Sequence, residues 1–225
     1  VKELKAREKK IICHYHGEDL RSRGVMPYID TVADLNLPNE VDLLEKHPKL
    51  EYIFLPFETS NFTSKDKLND IIRVAHAPTN RFYKGSDLII SVCSKLESEK
   101  LVEFDLIENV SHADALERKA KSDIFIDQIG DKGGWGYGMN SVESLSMGIC
   151  TLTEINDKYN SFIPDHPFVN VNQSNFDSVL RDLSQDRKKI EAKGIDARNW
   201  VVKNHAITQV SEKLYQYYKD MGLPV

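Results

Sequence analysis

The chain has 225 residues, of which 40% are hydrophobic and 29% are charged, and its formal net charge is −5 at pH 7. This length and composition suffice for one large domain, or for one domain and part of a second. The sequence contains no basic block, no apolar run of about 20 residues and no apolar N-terminal leader. These absences argue against nucleic-acid-binding, membrane-spanning and secreted proteins.

The three cysteines, Cys13, Cys93 and Cys150, lie in or beside apolar runs at unrelated spacings. We therefore expect buried free thiols in a reducing compartment, and a cytoplasmic location. The chain begins with Val1 in a helical pattern, as expected of a fragment or a processed product.

Short β-type runs alternate with helical patterns along the chain. Strands are predicted at 9–17, 50–56, 71–78, 101–109, 123–128, 149–154 and 168–172. Helices are predicted at 39–47, capped by Asn39, and at 84–100, 111–122, 140–148, 175–194 and 195–222. The alternation is typical of an α/β doubly wound fold, in which helices cover both faces of a parallel sheet. The polar segment 56–66 is the best linker candidate.

Three polar loops, 16–21, 77–85 and 130–138, each follow a predicted strand. Ligands of doubly wound sheets bind beyond the carboxyl ends of the strands, so we expect the three loops to face one crevice.

The third loop continues into the sequence DKGGWGYGMNSVESLSMG, which spans residues 131–148. Backbone N–H groups where such a glycine-rich loop meets a helix favour phosphate, and a carboxylate such as Glu143 can accept hydrogen bonds from a ribose diol. Together these features describe a nucleotide site. The alternatives are an ordinary turn into a helix and, for Glu143, compensation of the helix dipole.

Two cations, Arg81 and Lys84, lie where the helix at 84–100 begins. Cations oppose the dipole at that end, and a diphosphate would explain their presence. The alternative is that both are solvated surface side chains.

The histidines His14 and His16 alternate on a predicted strand and therefore share a face. His16 is a candidate ligand contact or a structural histidine. A metal site is the weaker interpretation, because no further ligands follow at a recognisable spacing.

Three segments together carry a family resemblance: RVAHAPTNRFYKGSDLII, LIENVSHADALERKAKSDIFIDQ and GWGYGMNSVESLSMGICTLT. They resemble the donor-binding domain of group 1 glycosyltransferases, the retaining GT-B enzymes of family 4. Residues 1–58 resemble the end of that family's N-terminal domain, and 59–205 its Rossmann-like C-terminal domain. The segment 206–225 would be a C-terminal helix that packs back on the N-terminal part.

The resemblance implies roles for individual residues. Arg81 and Lys84 would neutralise the departing diphosphate, and His16 would approach the transferred sugar. The implied donor-binding residues are Gly136, Tyr137, Gly138, Met139, Asn140 and Glu143, with Glu143 on the ribose. By spacing, Trp135 stands where the family has its first Glu, a residue that usually contacts sugar hydroxyls.

The activity implied is transfer of a sugar, with retention, from a nucleotide-diphosphate-sugar donor to a glycan or glycolipid acceptor. No cofactor and no metal would be needed, and peripheral contact with a membrane is expected if the acceptor is lipid-linked. Two alternatives are a non-catalytic nucleotide-sugar-binding module and another GT-B enzyme, such as a nucleotide-sugar epimerase.

Overall fold

The computed structural model describes residues 1–134 and 136–224. The chain divides into two compact units: the first is Val1–Phe57 with Asn204–Val225, and the second is Glu58–Lys203. The part of the chain that is described includes no helix long and apolar enough to cross a membrane.

The described residues form seven strands and ten α-helices. The strands are β1 (Ile12–Tyr15), β2 (Leu35–Pro38), β3 (Arg73–His76), β4 (Glu103–Leu106), β5 (Ile124–Ile126), β6 (Cys150–Thr153) and β7 (Val169–Asn170). The helices are α1 (Lys2–Ala6), α2 (Pro27–Asp30), α3 (Arg81–Lys84), α4 (Ser86–Ser98), α5 (His112–Ala120), α6 (Met139–Ser146), α7 (Asp157–Phe162), α8 (Phe176–Gln185), α9 (Arg187–His205) and α10 (Ile207–Asp220).

The second unit is built on a five-stranded sheet with the order β4-β3-β5-β6-β7, in which every neighbouring pair is parallel. Helices cover both faces of this sheet. On one face, apolar side chains of α4, α8 and α9 pack against Val74, Ile124 and Leu152. On the other face, Leu116 of α5 packs with Phe125. The predicted α/β doubly wound parallel sheet is confirmed.

Helix α4 shows how the sequence pattern produces this packing. Its buried residues are Ile89, Val92, Cys93 and Leu96, which recur at the spacing of one helical face. Helix α5, predicted at 111–122, begins at His112, because the Ser111 side chain caps it by accepting a hydrogen bond from the backbone N–H of Asp114. The predicted helix at 140–148 and the strands around it are also present as expected.

The first unit corrects two predictions and contains one strand that was not predicted. Residues 50–56 form no strand; Leu50 makes an isolated bridge to Asn36. The predicted helix at 39–47 is a 3₁₀ helix over Val41–Glu45, and Asn39 does not cap it because Glu40 occupies the cap position. The strand β2, which pairs in parallel with β1, was not predicted.

Other boundaries also differ from the sequence pattern. The two predicted helices at 175–194 and 195–222 are three helices, with breaks at Asp186 and Ala206. The Asp186 carboxylate accepts a hydrogen bond from the Lys189 N–H, and Gly194 lies inside α9. Helix α10 packs through Val210 onto Leu37 and Ile53 of the first unit.

The three cysteines are free thiols. Cys93 and Cys150 are buried as expected, and burial raises the pKa of Cys150 to about 12. Cys13 is only partly buried, so the prediction of full burial is wrong for this residue.

The buried imidazole of His76 makes the stability of the second unit depend on pH. Its Nδ1 lies 2.8 Å from the Ile126 carbonyl oxygen and its Nε2 lies 2.8 Å from the Ser86 hydroxyl. A carbonyl only accepts, so Nδ1 carries the proton and the neutral ring accepts from Ser86. Burial lowers the pKa of His76 to about 4.

We expect His76 to lower the free energy of unfolding by about 2 kcal/mol when the pH falls from 7 to 5. The sign follows because the unfolded chain binds the proton near pH 6.5, whereas the folded chain resists it until about pH 4. Urea unfolding of wild type and His76→Asn at both pH values measures the difference. The variant is less stable at pH 7 but has the shallower pH dependence; equal slopes would contradict the assignment.

Candidate nucleotide-binding site

Two of the three predicted loops meet at the carboxyl edge of the second unit's sheet. The Ile129 N–H donates to the Lys84 carbonyl oxygen at 3.1 Å, and the Asn140 amide donates to the Ala77 carbonyl oxygen at 2.9 Å. The loops after β3 and β5 therefore lie side by side at this edge of the sheet. The loop at 16–21 belongs to the first unit, so its place in the same crevice stays a prediction.

The glycine-rich loop is held by a few specific contacts. Gly136 has φ +67°, and a Cβ at this position would lie 3.0 Å from the Tyr159 ring. Its carbonyl oxygen accepts hydrogen bonds from the Gln128 amide at 2.9 Å and the Thr153 hydroxyl at 3.0 Å. Glycine is thus required at 136 both for its backbone angle and for the contact with Tyr159.

The residues around Gly136 divide between core and solvent. Tyr137 packs in an aromatic cluster, with ring centroids 5.1 Å from Phe168 and 6.0 Å from Trp200. Gly138 precedes α6, and a Cβ there would meet no atom within 4 Å. Met139 is exposed. Trp135 lies outside the described residues.

Glu143 is buried, and both of its carboxylate oxygens are paired. Oε2 lies 2.5 Å from the Lys119 ammonium, and Oε1 lies 2.9 Å from Nε2 of His112. Helix α6 has no acidic residue in its first turn, and Glu143 is its fifth residue. Compensation of the helix dipole therefore does not explain this carboxylate.

Lys119 is almost fully buried, and burial lowers its pKa despite the adjacent Glu143 carboxylate. The ammonium also lies 2.9 Å from the Asn140 side-chain oxygen and 4.7 Å from the centre of the Phe125 ring. The Lys119 ammonium on α5 therefore contacts two residues of α6, Asn140 and Glu143.

Lys84 is also buried, so the alternative of a solvated surface cation is wrong for it. Its ammonium lies 2.5 Å from Oδ1 of Asp127, and Oδ2 of Asp127 accepts from the Ser141 hydroxyl at 2.6 Å. Burial alone would raise the pKa of Asp127. The charge of Lys84 and the hydrogen bonds from Lys84 and Ser141 have the larger effect, so the pKa of Asp127 is lowered.

Arg81 is exposed and pairs with Glu108. Its Nε donates to the Glu108 carboxylate at 2.7 Å, and its terminal nitrogen contacts the second carboxylate oxygen. The hydrogen bond from Arg81 lowers the pKa of Glu108. Both cations that the sequence singled out are therefore neutralised by a carboxylate in the structure.

A cleft of about 750 Å³ opens beside these groups. It lies between the ends of β3 and β4 and the start of α5 and α6. Its polar lining includes Arg81, Glu108, His112 and Asn140, and its apolar lining includes Ile107 and Val110. A cleft with an apolar wall and a few convergent polar groups is the usual form of a small-molecule site.

In the first unit, His14 and His16 share a face as the alternation predicts, and their rings stack with centroids 5.1 Å apart. Over residues 1–134 and 136–224, no three His, Cys, Asp or Glu side chains are grouped as metal ligands would be.

No model of a protein family matches the sequence, and no curated protein is significantly similar to it. Solved structures do resemble the chain. HepE of Anabaena in complex with UDP aligns with a TM-score of 0.71 and 10% identity, over 96% of this chain and 74% of HepE. The fold is of the GT-B type.

Two further structures share this fold. Sucrose-phosphate synthase from Thermosynechococcus elongatus aligns with a TM-score of 0.66 and 11% identity, over 97% of this chain and 70% of the synthase. WaaG, a glycosyltransferase involved in lipopolysaccharide biosynthesis, aligns with a TM-score of 0.55 and 12% identity, over 94% of this chain and 79% of WaaG. At these identities the likeness establishes the fold.

Three residues at the site were not predicted: Asp127, Lys119 and His112. Each was placed in a strand or helix, but none was assigned a role at the site. One signal was available for Lys119. It recurs with Ala115 and Leu116 at the spacing of the inward face of α5, where a lysine needs a buried partner.

Proposed function

We propose that the chain is the donor-binding part of a glycosyltransferase that uses a nucleotide-diphosphate sugar. The observation that carries the proposal is Glu143, a buried carboxylate that is held by Lys119 beside an open cleft at the carboxyl edge of a GT-B-type sheet. The comparison supports the choice of ligand, because HepE has been crystallised with UDP, with UDP and glucose, and with UDP-glucose.

The ribose and the diphosphate would bind to different parts of α6. Glu143 would accept from the ribose, and Gly138, Met139 and Asn140 would present backbone N–H groups to the diphosphate at the helix N-terminus. The open space at Gly138 suits the close approach of a phosphate. Gly136 and Tyr137 would act by fixing the loop rather than by touching the donor.

Arg81 and Lys84 would stabilise the departing diphosphate, with His16 approaching the sugar. The reaction we propose is retaining front-face transfer of a hexosyl group to a glycan or lipid-linked acceptor, without a metal or cofactor. Such a reaction relies on cations and backbone donors for the developing negative charge. A role in polysaccharide synthesis, in the cytoplasm or at its membrane surface, accompanies the proposal.

One observation favours a non-catalytic nucleotide-sugar-binding module as the second candidate. The Lys84–Asp127 and Arg81–Glu108 pairs leave each candidate cation neutralised. A departing diphosphate would have to compete with both carboxylates for these cations. Turnover of bound donor therefore separates the two candidates.

We expect one of UDP, GDP or ADP, or one of their sugars, to raise the melting temperature of the chain. A ligand that binds only the folded state at a hundredfold excess over Kd adds about 2.7 kcal/mol of stability. Glu143→Ala should lose this shift, whereas Glu117→Ala, an exposed acid on α5, should keep it. If no nucleotide stabilises the wild type, or if both variants respond alike, the assignment of the site is wrong.

A further inference from the structure

The two oxygens of the Glu143 carboxylate have different neighbours, and this difference limits how the residue can bind a ligand. Oε2 lies 2.5 Å from Lys119, a side chain that is 1% exposed. Lys119 has two more polar contacts, to the side-chain and backbone oxygens of Asn140 at 2.9 and 3.5 Å. The three N–H groups of the ammonium therefore have acceptors inside the protein, and Oε2 already accepts from one of them.

The other oxygen, Oε1, contacts a residue that lines the cleft. Its partner is Nε2 of His112, at 2.9 Å, and the His112 side chain is 74% exposed. Ser111 caps α5 and so fixes His112 as the first residue of that helix. His112 and Asn140 both line the cleft of about 750 Å³.

The two hydroxyls of a vicinal diol need adjacent polar atoms that can accept or donate hydrogen bonds. In Glu143, Oε2 already accepts from the buried Lys119, whereas the partner of Oε1 is the exposed His112 side chain. The adjacent group is the His112 imidazole, which can donate from Nε2 or accept there.

We propose that Glu143 Oε1 and His112 Nε2 together form a two-point site for the ribose hydroxyls of the nucleotide, with Lys119 as the residue that positions the carboxylate. One hydroxyl takes the place of the direct His112–Glu143 hydrogen bond, donating to Oε1 and accepting from Nε2–H. The second hydroxyl donates to the remaining lone pair of Oε1, because the first hydroxyl uses the single Nε2–H. This inference rests on the proposed function, because it names how that site reads the sugar of its nucleotide.

The test compares UDP with 2′-deoxy-UDP and 3′-deoxy-UDP, by calorimetric titration of the full chain. We expect His112→Ala to weaken UDP binding by roughly tenfold, the loss of about one hydrogen bond. It should leave the binding of one deoxy analogue almost unchanged, because that analogue lacks the hydroxyl that His112 contacts. His112→Gln, whose amide can also donate, should recover part of the loss.

The matched control is His166→Ala, since His166 is a partly buried histidine of the same unit outside the residues that line the cleft. It should bind all three ligands as the wild type does. Equal losses for UDP and both deoxy analogues in His112→Ala, or no loss, would overturn the two-point site while leaving nucleotide binding in place. Failure of the wild type to bind any of UDP, GDP or ADP would instead overturn the proposed function and the inference with it.

Discussion

Replacing Lys119 by Met is expected to lower the free energy of unfolding by about 3–5 kcal/mol, because the Glu143 carboxylate would stay buried without its cation. The two side chains are 1% and 7% exposed, so Oε2 would lose its ammonium partner at a poorly hydrated position. The Asn140 side-chain oxygen would lose its donor as well. Urea unfolding at pH 7 measures the loss, and the same variant should no longer be stabilised by nucleotide.

Two further variants separate the ion pair from simple packing. Lys121→Met removes an exposed lysine near the end of the same helix, and its expected cost is below about 0.5 kcal/mol. Lys119→Met combined with Glu143→Met removes both charges and should recover most of the stability, because a neutral apolar pair leaves no charge unpaired. If the double variant is as unstable as the sum of the two single variants, the pair is not coupled.

The second unit's fold could be predicted because each of its elements carries a local signal. Strand β5 is wholly apolar, strand β6 alternates threonine with apolar residues, and both are buried along their whole length. The apolar residues of α4 follow a helical period. The first unit carries weaker signals. The sequence LNLP of β2 does not read as a strand, and it becomes one through pairing with β1.

The candidate site was predictable in position but not in its charge pairs. The glycine-rich loop and Glu143 are close in sequence, and their place at the sheet edge follows from the strand that precedes them. The partners of the charged groups come from other elements: Lys119 is 24 residues from Glu143, and Asp127 is 43 residues from Lys84. Such pairings depend on the packing of helices and strands, which a single sequence does not specify.

Glycine is required at position 85 because a segment distant in sequence lies against it. Gly85 joins α3 to α4 with φ +64°, and a Cβ there would lie 2.0 Å from the Ile129 carbonyl oxygen. The backbone beyond β5 therefore passes directly over this residue. The same approach allows the Ile129 N–H to donate to the Lys84 carbonyl at 3.1 Å. Glycine at 85 thus lets Lys84 reach Asp127.

Gly85→Ala is expected to lower the free energy of unfolding by about 2–5 kcal/mol, from left-handed strain of about 1–2 kcal/mol and from displacement of the Ile129 backbone. Gly134→Ala is the matched control, because Gly134 has φ +67° but a Cβ there meets nothing within 4 Å. Gly134→Ala has the left-handed strain but no steric clash, so we expect it to lower the free energy of unfolding by about 1–2 kcal/mol. Chemical denaturation of both variants measures the difference. If the two variants lose equal amounts of unfolding free energy, the segment after β5 has moved to make room for the added methyl group. Lys84 would then still contact Asp127 in Gly85→Ala, and nucleotide binding would be retained.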